Sequence, residues 1–318
     1  MHFLRSLLLA ASCVVFGWQA PAAAEDKPDT VRIGFQKSST LITVLKTQGK
    51  LDAALQKIGV SVKWNEFTSG PPMLEALNIG AIDFTADVAD TVPIFAQAAG
   101  ANMIYVAQEA PSPTAQAILI PAASELKSPA ELKGKRVALT KGTGGHYLLL
   151  ATLAKAGLTF KDIQPVYLGQ ADCRAAFERG SVDAWVTWDP YLSAGEIQAG
   201  ARVLADGKDV ALYQRYYLAS TAFATARPDV LAVIFDELHA AGKWVKENPQ
   251  AAAELLKPIW GLDTKIIEQA NGRRSYDVRL PTTNNLVDQQ IIADTFFKEQ
   301  LLPKAVDVKS AKIWHRGS

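Results

Sequence analysis

Twice along this chain the same local order recurs: a short β-like run, a polar loop carrying a lysine and hydroxyls, then a helical pattern. The first copy covers residues 31–35, 36–40 and 41–55. The second covers 136–140, then Lys141-Gly142-Thr143-Gly144-Gly145-His146, then 147–154. Further along each half, residues 76–84 and 176–184 share an apolar helix end, a glycine, an apolar residue, an aspartate and a strand. The glycines of these stretches, Gly80 and Gly180, suit a left-handed helix C-cap, where a β-carbon would cost energy.

Strands alternating with helices predict an α/β chain of two lobes, each a mainly parallel sheet flanked by helices. Ligands of such sheets gather beyond the carboxyl ends of the strands, where helix N-termini direct N–H groups outward. Loops 36–39 and 141–145 both fall at such ends, so two facing lobes define one cleft. Residues 115–120, followed by Pro121, read as the outgoing crossover and 216–223 as the return strand. Ser128 and Glu131 form a capping box that starts a short helix. From Asp229 onward the pattern is mostly helical, over 230–246, 249–256, 264–271 and 286–301. The expected division is 25–118 with 216–318 in the first lobe and 119–215 in the second, joined by two extended crossings.

The N-terminus has an address. Residues 1–24 open with Arg5, run apolar from 7 to 16 and end on small residues ahead of Glu25, which reads as an export signal cleaved near Ala24 and places the product in the periplasm. Attachment of lipid at Cys13 is the alternative. Cleavage leaves Cys173 as the sole cysteine and excludes an internal disulfide or a cysteine-rich metal site. The 33 basic residues lose Arg5 and then equal the 32 acidic ones, so a nucleic-acid partner gripped by a broad basic face is excluded. No G-x-x-x-x-G-K-[ST] loop, H-E-x-x-H pair or G-x-S-x-G elbow is present, and the mature histidines are only His146, His239 and His315. No catalytic residue, metal ligand or cofactor is expected.

Several stretches, in order, carry a family resemblance: RIGFQK at 32–37, FTSGPPMLEALN at 67–78, PIFAQAAG at 93–100, DAWVTWDPY at 183–191 and VLADG at 203–207. From about residue 31 to 314 the chain resembles the aliphatic sulfonate-binding proteins of bacterial ABC importers. The resemblance implies a type II periplasmic binding protein, a monomer that closes on an alkanesulfonate, delivers it to a membrane permease for sulfur acquisition, and runs no reaction. Neighbouring readings are a binder of taurine, nitrate or a pyrimidine on the same scaffold, since a few cleft side chains set that choice. A pyrimidine-forming enzyme of thiamine synthesis would carry a cysteine-rich iron-binding stretch. The effector domain of a transcription regulator would need a DNA-binding segment where this chain has an export signal.

A sulfonate is permanently ionised and only accepts hydrogen bonds, so its site must supply donors. Thr143, Gly144 and Gly145 at a helix start offer them. His146 is either a donor or an exposed first-turn residue. Gln36, Ser38 and Ser39 are the first-lobe counterparts, with Ser38 or Ser39 alternatively capping the helix. The ring of Trp188 suits the alkyl part, unless it is simply packed, as Trp185 is expected to be. Asp189, ahead of Pro190, holds a turn or faces the cleft, and Tyr217 on the return strand completes the set. Residues 85–91 depart from the family pattern: the stretch is one residue longer and adds Asp87, with Asp90 at the family aspartate. An unpaired carboxylate about 5 Å from a sulfonate costs roughly 3 kcal/mol at an effective dielectric near 20, more than a hundredfold in affinity. Asp87 therefore points away from the anion or faces an amine on the ligand.

Overall fold

The computed structural model describes residues 29–317, so the expected export signal over 1–24, with Cys13, lies outside the described residues. The chain enters through β1 (Thr30–Phe35), α1 (Thr40–Gln48) and α2 (Lys50–Gln56). The last two were expected as one helix over 41–55, but Gly49, at φ 64°, turns the chain between them. Next come β2 (Ser61–Glu66), α3 (Gly70–Asn78), β3 (Phe84–Thr85), β4 (Val88–Ala89), α4 (Thr91–Ala98) and β5 (Met103–Glu109).

The chain then crosses to a second sheet. There it forms β6 (Gln116–Ile120), β7 (Arg136–Leu139), α5 (Gly144–Lys155), β8 (Gln164–Tyr167), α6 (Gln170–Glu178), β9 (Ala184–Trp188), α7 (Tyr191–Gln198) and β10 (Arg202–Asp206). It returns as β11 (Arg215–Ser220), α8 (Thr221–Ala226), α9 (Pro228–Glu247), α10 (Pro249–Trp260), α11 (Thr264–Arg273), β12 (Val278–Arg279), α12 (Val287–Lys298) and β13 (Lys312–Ile313). The return strand is shorter than expected. Ser220 accepts the Phe223 amide at 3.2 Å and starts α8, so 221–223 are helical.

The first sheet runs β12-β5-β11-β3-β1-β2, with β13 on β5 and β4 on β11; the second runs β10-β6-β9-β7-β8. Parallel pairing holds in β2-β1-β3 and β8-β7-β9. Both sheets are mixed, however, because β11 and β6 lie antiparallel to their neighbours. A parallel neighbour needs a helix-length return, and these two strands arrive by short crossings from the other sheet.

The halves repeat one another down to single hydrogen bonds. Gly80 and Gly180 have φ of 73° and 68° after α3 and α6. Asp83 then accepts the Arg32 amide at 2.8 Å, and Asp183 accepts the Arg136 amide at the same distance. Each aspartate also takes that arginine's guanidinium. The Ser128–Glu131 capping box is formed, opening a 3-10 turn over Pro129–Leu132.

The two crossings, 110–115 and 207–214, lie side by side. Gly207 N donates to Pro113 O at 3.0 Å and Ser112 N to Leu212 O at 3.1 Å. A β-carbon on Gly207 would sit 2.5 Å from Ala211 O and 2.6 Å from Pro113 O, so this close approach requires glycine. Sheet membership also moves the expected boundaries at 118/119 and 215/216. Residues 116–119 pair with β9 in the second sheet, and Arg215 already pairs with β5 in the first. One apolar cluster draws from both halves, including Ile94 and Val88 beside Leu148 and Val186, while the other two each belong to one sheet.

Candidate functional site

Beyond the carboxyl ends of β1 and β7, a narrow cavity separates the two sheets. Helices α3 and α5 both begin at its wall, with Ser69 and Thr143 as their N-caps. Neither cap side chain bonds its own helix; Thr143 Oγ1 donates back to Thr140 O at 2.8 Å. The amides of Gly70, Gly144 and Gly145 are therefore left for whatever occupies the cavity, while that of His146 donates to Thr143 O at 2.9 Å. Pro71 and Pro72 follow Gly70 and have no N–H, so Gly70 carries the leading amide of its turn. Gln36, from the loop after β1, and Trp188, at the end of β9, complete the rim.

The floor is charged. Arg215 donates to Asp87 Oδ2 from Nε at 2.8 Å and pairs with it through Nη2 at 2.5 Å, while Nη1 donates to the Tyr213 hydroxyl at 2.6 Å. Behind it, Arg274 Nη2 contacts Asp87 Oδ2 at 3.2 Å and Glu109 Oε2 at 2.5 Å, and the Tyr217 hydroxyl donates to Glu109 Oε1 at 2.7 Å. Asp87 and Glu109 are 1% and 0% exposed and both arginines 4%, so each charge survives only through its partners. Burial is the largest influence on Arg215 and works against its charged form, but Asp87, Tyr213 and Glu109 together outweigh it and hold that pKa above its ordinary value. Of these four, Arg215 alone reaches the cavity wall.

The halves meet on both flanks of the cavity. On one, Arg273 at the end of α11 donates to Glu196 Oε2 at 2.6 Å and Ser193 Oγ at 3.1 Å on α7, and Gln269 also reaches Glu196 at 2.8 Å. On the other, Thr91 Oγ1 donates to Gly142 O at 3.3 Å, and Phe296 of α12 packs on Phe95 and His146 with centroids 5.0 and 5.3 Å away. Between these flanks the cavity holds only about 20 Å3, room for about one water. The conformation is closed.

The structure brings Gln36, Thr143, Gly144 and Trp188 to the cavity wall and places the other expected residues elsewhere. Ser38 is half-buried off the wall; Ser39, fully buried, only faces the Gln36 amide, with its Oγ 3.4 Å away. Gly145 backs onto Val186, where a β-carbon would lie 3.2 Å from Cγ1. Asp90 accepts the Thr91 and Gln214 amides at 3.0 Å each and so tethers α4 to the return crossing. Asp189 binds Ser193 N and Oγ at 3.0 and 2.6 Å and holds the start of α7. Tyr217 is in the core against Glu109. Asp87 is off the cavity wall, and the cation it faces is the Arg215 guanidinium of the protein itself, not an amine on a ligand. Sequence reasoning missed Ser69, Gly70, Tyr213 and Arg215 as wall residues.

His146 is neither a donor to the cavity nor exposed. It is fully buried among Phe160, Tyr167 and Phe296, and its Nδ1 accepts the Gly142 amide at 3.2 Å. Burial, with a smaller push from Lys141, takes its pKa from 6.5 down to about 4, so the ring is neutral near pH 7. A depressed histidine contributes stability that is complete above pH 6.5 and lost as pH falls towards 4. Burial raises Asp90 to about 6, which acts oppositely in nearly the same window: its ionisation erodes stability as pH rises from about 4 to 6. A His146→Asn variant isolates the first effect. The wild type's stability advantage over it, from urea unfolding, should shrink by about 3 kcal/mol between pH 7 and pH 4; a pH-independent difference would mean that the ring is not held neutral.

Comparison with known proteins places these features in a wider group. Residues 55–252 match the family model described as NMT1/THI5 like. A relative from Escherichia coli (strain K12), named for binding aliphatic sulfonates, is 42% identical over 299 residues, covering 92% of this chain and 91% of its own. The alkanesulfonate-binding protein SsuA from Xanthomonas axonopodis pv. citri, solved bound to MOPS, superimposes with a TM-score of 0.83 at 38% identity, over 89% of this chain and 97% of that one. The periplasmic aliphatic sulphonate-binding protein SsuA from Escherichia coli gives 0.84 at 39% identity, over 91% and 93%.

Proposed function

This chain belongs to the NMT1/THI5-like family and, within it, to the aliphatic sulfonate-binding proteins, and from that premise we propose that its cavity is a two-sided grip on the sulfonate headgroup. The protein is the periplasmic solute-binding component of an ABC importer: it captures aliphatic sulfonates and presents them to a membrane permease, without catalysis of its own. In our reading residues 1–24 direct export and are removed, and the chain works as a monomer.

One observation carries the proposed grip. Two uncapped helix N-termini, one from each sheet, converge with a guanidinium on a single cavity. Gln36 and Gly70 hold the headgroup from the first lobe, Thr143 and Gly144 from the second, and Arg215 supplies the opposite charge from below. Trp188 covers the first carbons. A cavity of about 20 Å3 cannot admit even a small sulfonate, so the lobes separate at the paired crossings and close again around the ligand. The contacts of Arg273 with α7 and of Phe296 with α5 form as they close.

The wall also favours plain alkanesulfonates over taurine. A ligand ammonium is best matched by a carboxylate, and among the described residues of the wall there is no acid; neutral acceptors such as Gln36 and Ser69 leave its charge uncompensated beside Arg215. A thermal-shift panel of ethanesulfonate, taurine, sulfate, nitrate and amino acids tests this. A ligand at a hundred times its Kd adds about 2.7 kcal/mol, and ethanesulfonate should raise Tm well above taurine. Stabilisation by taurine equal to or greater than that by ethanesulfonate, or by none of the sulfonates, would overturn the assignment.

A further inference from the structure

Between α12 and the return crossing lies a groove of about 270 Å3 that shares no wall residue with the headgroup cavity. Its rim is apolar where solvent reaches it. Ile291 on α12 is 56% exposed and Leu212 on the crossing 41%, and Val287, one turn before Ile291, extends the patch at 57%. Large aliphatic side chains gathered in this way on a surface mark a place where another molecule packs.

The groove is also acidic. Its described wall carries Asp90, Asp209 and Asp288 and no basic residue. Asp90 is spent on the amides of Thr91 and Gln214. Asp209 and Asp288 are exposed, and neither forms an ion pair among the described residues; the neighbouring Lys208 turns instead to Asp206, 3.9 Å away. An apolar floor with two free carboxylates at its edge matches a lysine or arginine side chain flanked by aliphatic ones. It does not match a second copy of this chain, because a two-fold contact through the groove would set these acids against themselves.

Both halves build the groove. Asp288, Ile291 and Ile292 come from the first, residues 209–214 from the crossing between the halves, and Tyr147 from α5 in the second. Tyr147 also meets Phe296 of α12, with ring centroids 6.3 Å apart. Opening of the lobes separates α5 from α12 and removes one wall, so the groove is complete only in the closed form. A partner seated there distinguishes a closed protein from an open one, and an importer's permease must make that distinction.

We propose that this groove is a docking site for the permease, and that it receives a basic side chain and its apolar neighbours from a periplasmic segment of that partner. The inference rests on the importer role and the lobe closure set out above.

The test pairs the full mature protein with its importer's permease–ATPase complex in proteoliposomes and reads ATP hydrolysis driven by the ethanesulfonate-loaded protein. Ile291→Gln removes the apolar contact and keeps a good helix former; Asp209→Asn/Asp288→Asn removes the charge. Each should raise the concentration for half-maximal stimulation at least about tenfold, with ethanesulfonate Kd and Tm unchanged. Added salt should weaken stimulation by wild type and act much less on the double variant. Asp172→Asn, an exposed acid on α6, is the control and should behave as wild type. Unchanged stimulation by both variants, a loss equalled by the control, or weakened ethanesulfonate binding in Ile291→Gln would overturn the docking site with the headgroup site intact. So would a wild-type dimer in sedimentation that Ile291→Gln abolishes without altering stimulation. Failure of loaded wild type to stimulate the complex would overturn the importer role itself.

Discussion

Replacing Arg215 by methionine should weaken ethanesulfonate binding by at least about a hundredfold and lower stability by about 3–5 kcal/mol. Both effects have one origin. The buried cluster holds two carboxylates, Asp87 and Glu109, against two guanidiniums, Arg215 and Arg274. Removing Arg215 leaves an excess negative charge directly beneath the headgroup. Asp87→Asn should be comparably destabilising but leave the excess positive, so that anion binding is kept or strengthened. The double variant Arg215→Met/Asp87→Asn restores neutrality and should recover part of the stability without recovering affinity. Urea unfolding and calorimetry on the three proteins separate the roles. Equal binding by wild type and Arg215→Met would remove the guanidinium from the site.

A single methyl group at Gly144 should do to closure what the first change does to charge. A β-carbon there would lie 2.7 Å from Tyr213 Cε2, 2.9 Å from Cδ2 and 3.2 Å from Ala89 Cβ. Tyr213 is on the return crossing and Ala89 is in the first sheet, so the clash arises only when the lobes come together. Gly144 opens α5, where alanine is intrinsically the better helix former. Gly144→Ala should therefore fold normally, with Tm within a few degrees of wild type, yet bind ethanesulfonate at least about thirtyfold more weakly. Small-angle scattering at saturating ligand should show it more extended than liganded wild type. Gly145→Ala is the control, because its nearest neighbours, Val186, Thr143 and Trp188, all belong to the second half. Normal affinity and compaction in Gly144→Ala would mean that closure does not bring Gly144 against Tyr213.

The fold was legible wherever local chemistry recurs. Gly80 and Gly180, Asp83 and Asp183, and the two strand–loop–helix units announce duplicated halves, because caps and βα turns are decided within a few residues of sequence. The antiparallel placement of β6 and β11 was not legible, since it depends on which sheet a strand joins after crossing. The site divides in the same way. Gln36, Thr143 and Gly144 lie on βα loops and could be read directly. Arg215 meets Asp87 across 128 residues, and no periodicity encodes such a pairing. A signal existed nonetheless: isolated acids in the apolar surroundings of residues 85–91 and 103–109 need cations, and an arginine opening the apolar run of β11 is one of the few candidates.

His146 departs from both of its expected places, whereas Asp189 takes the turn-holding one of its two. Thr143 and Gly144, shortly before His146, line the cavity, but neighbours in sequence need not share a direction. On α5 the side chain after Gly145 turns away from the cavity into the aromatic cluster closed by Phe296, which arrives 150 residues later. Asp189 spends its oxygen Oδ1 on Ser193, as a residue preceding a helix commonly does.

The most direct test is a crystal structure of the mature protein with ethanesulfonate. The account requires the three sulfonate oxygens to lie within hydrogen-bonding distance of donors from both halves, Gln36 or Gly70 on one side and Thr143 or Gly144 on the other, with the Arg215 guanidinium in contact below. A headgroup held by one half alone, or seated away from Arg215 in the cavity between α12 and the return crossing, would contradict it.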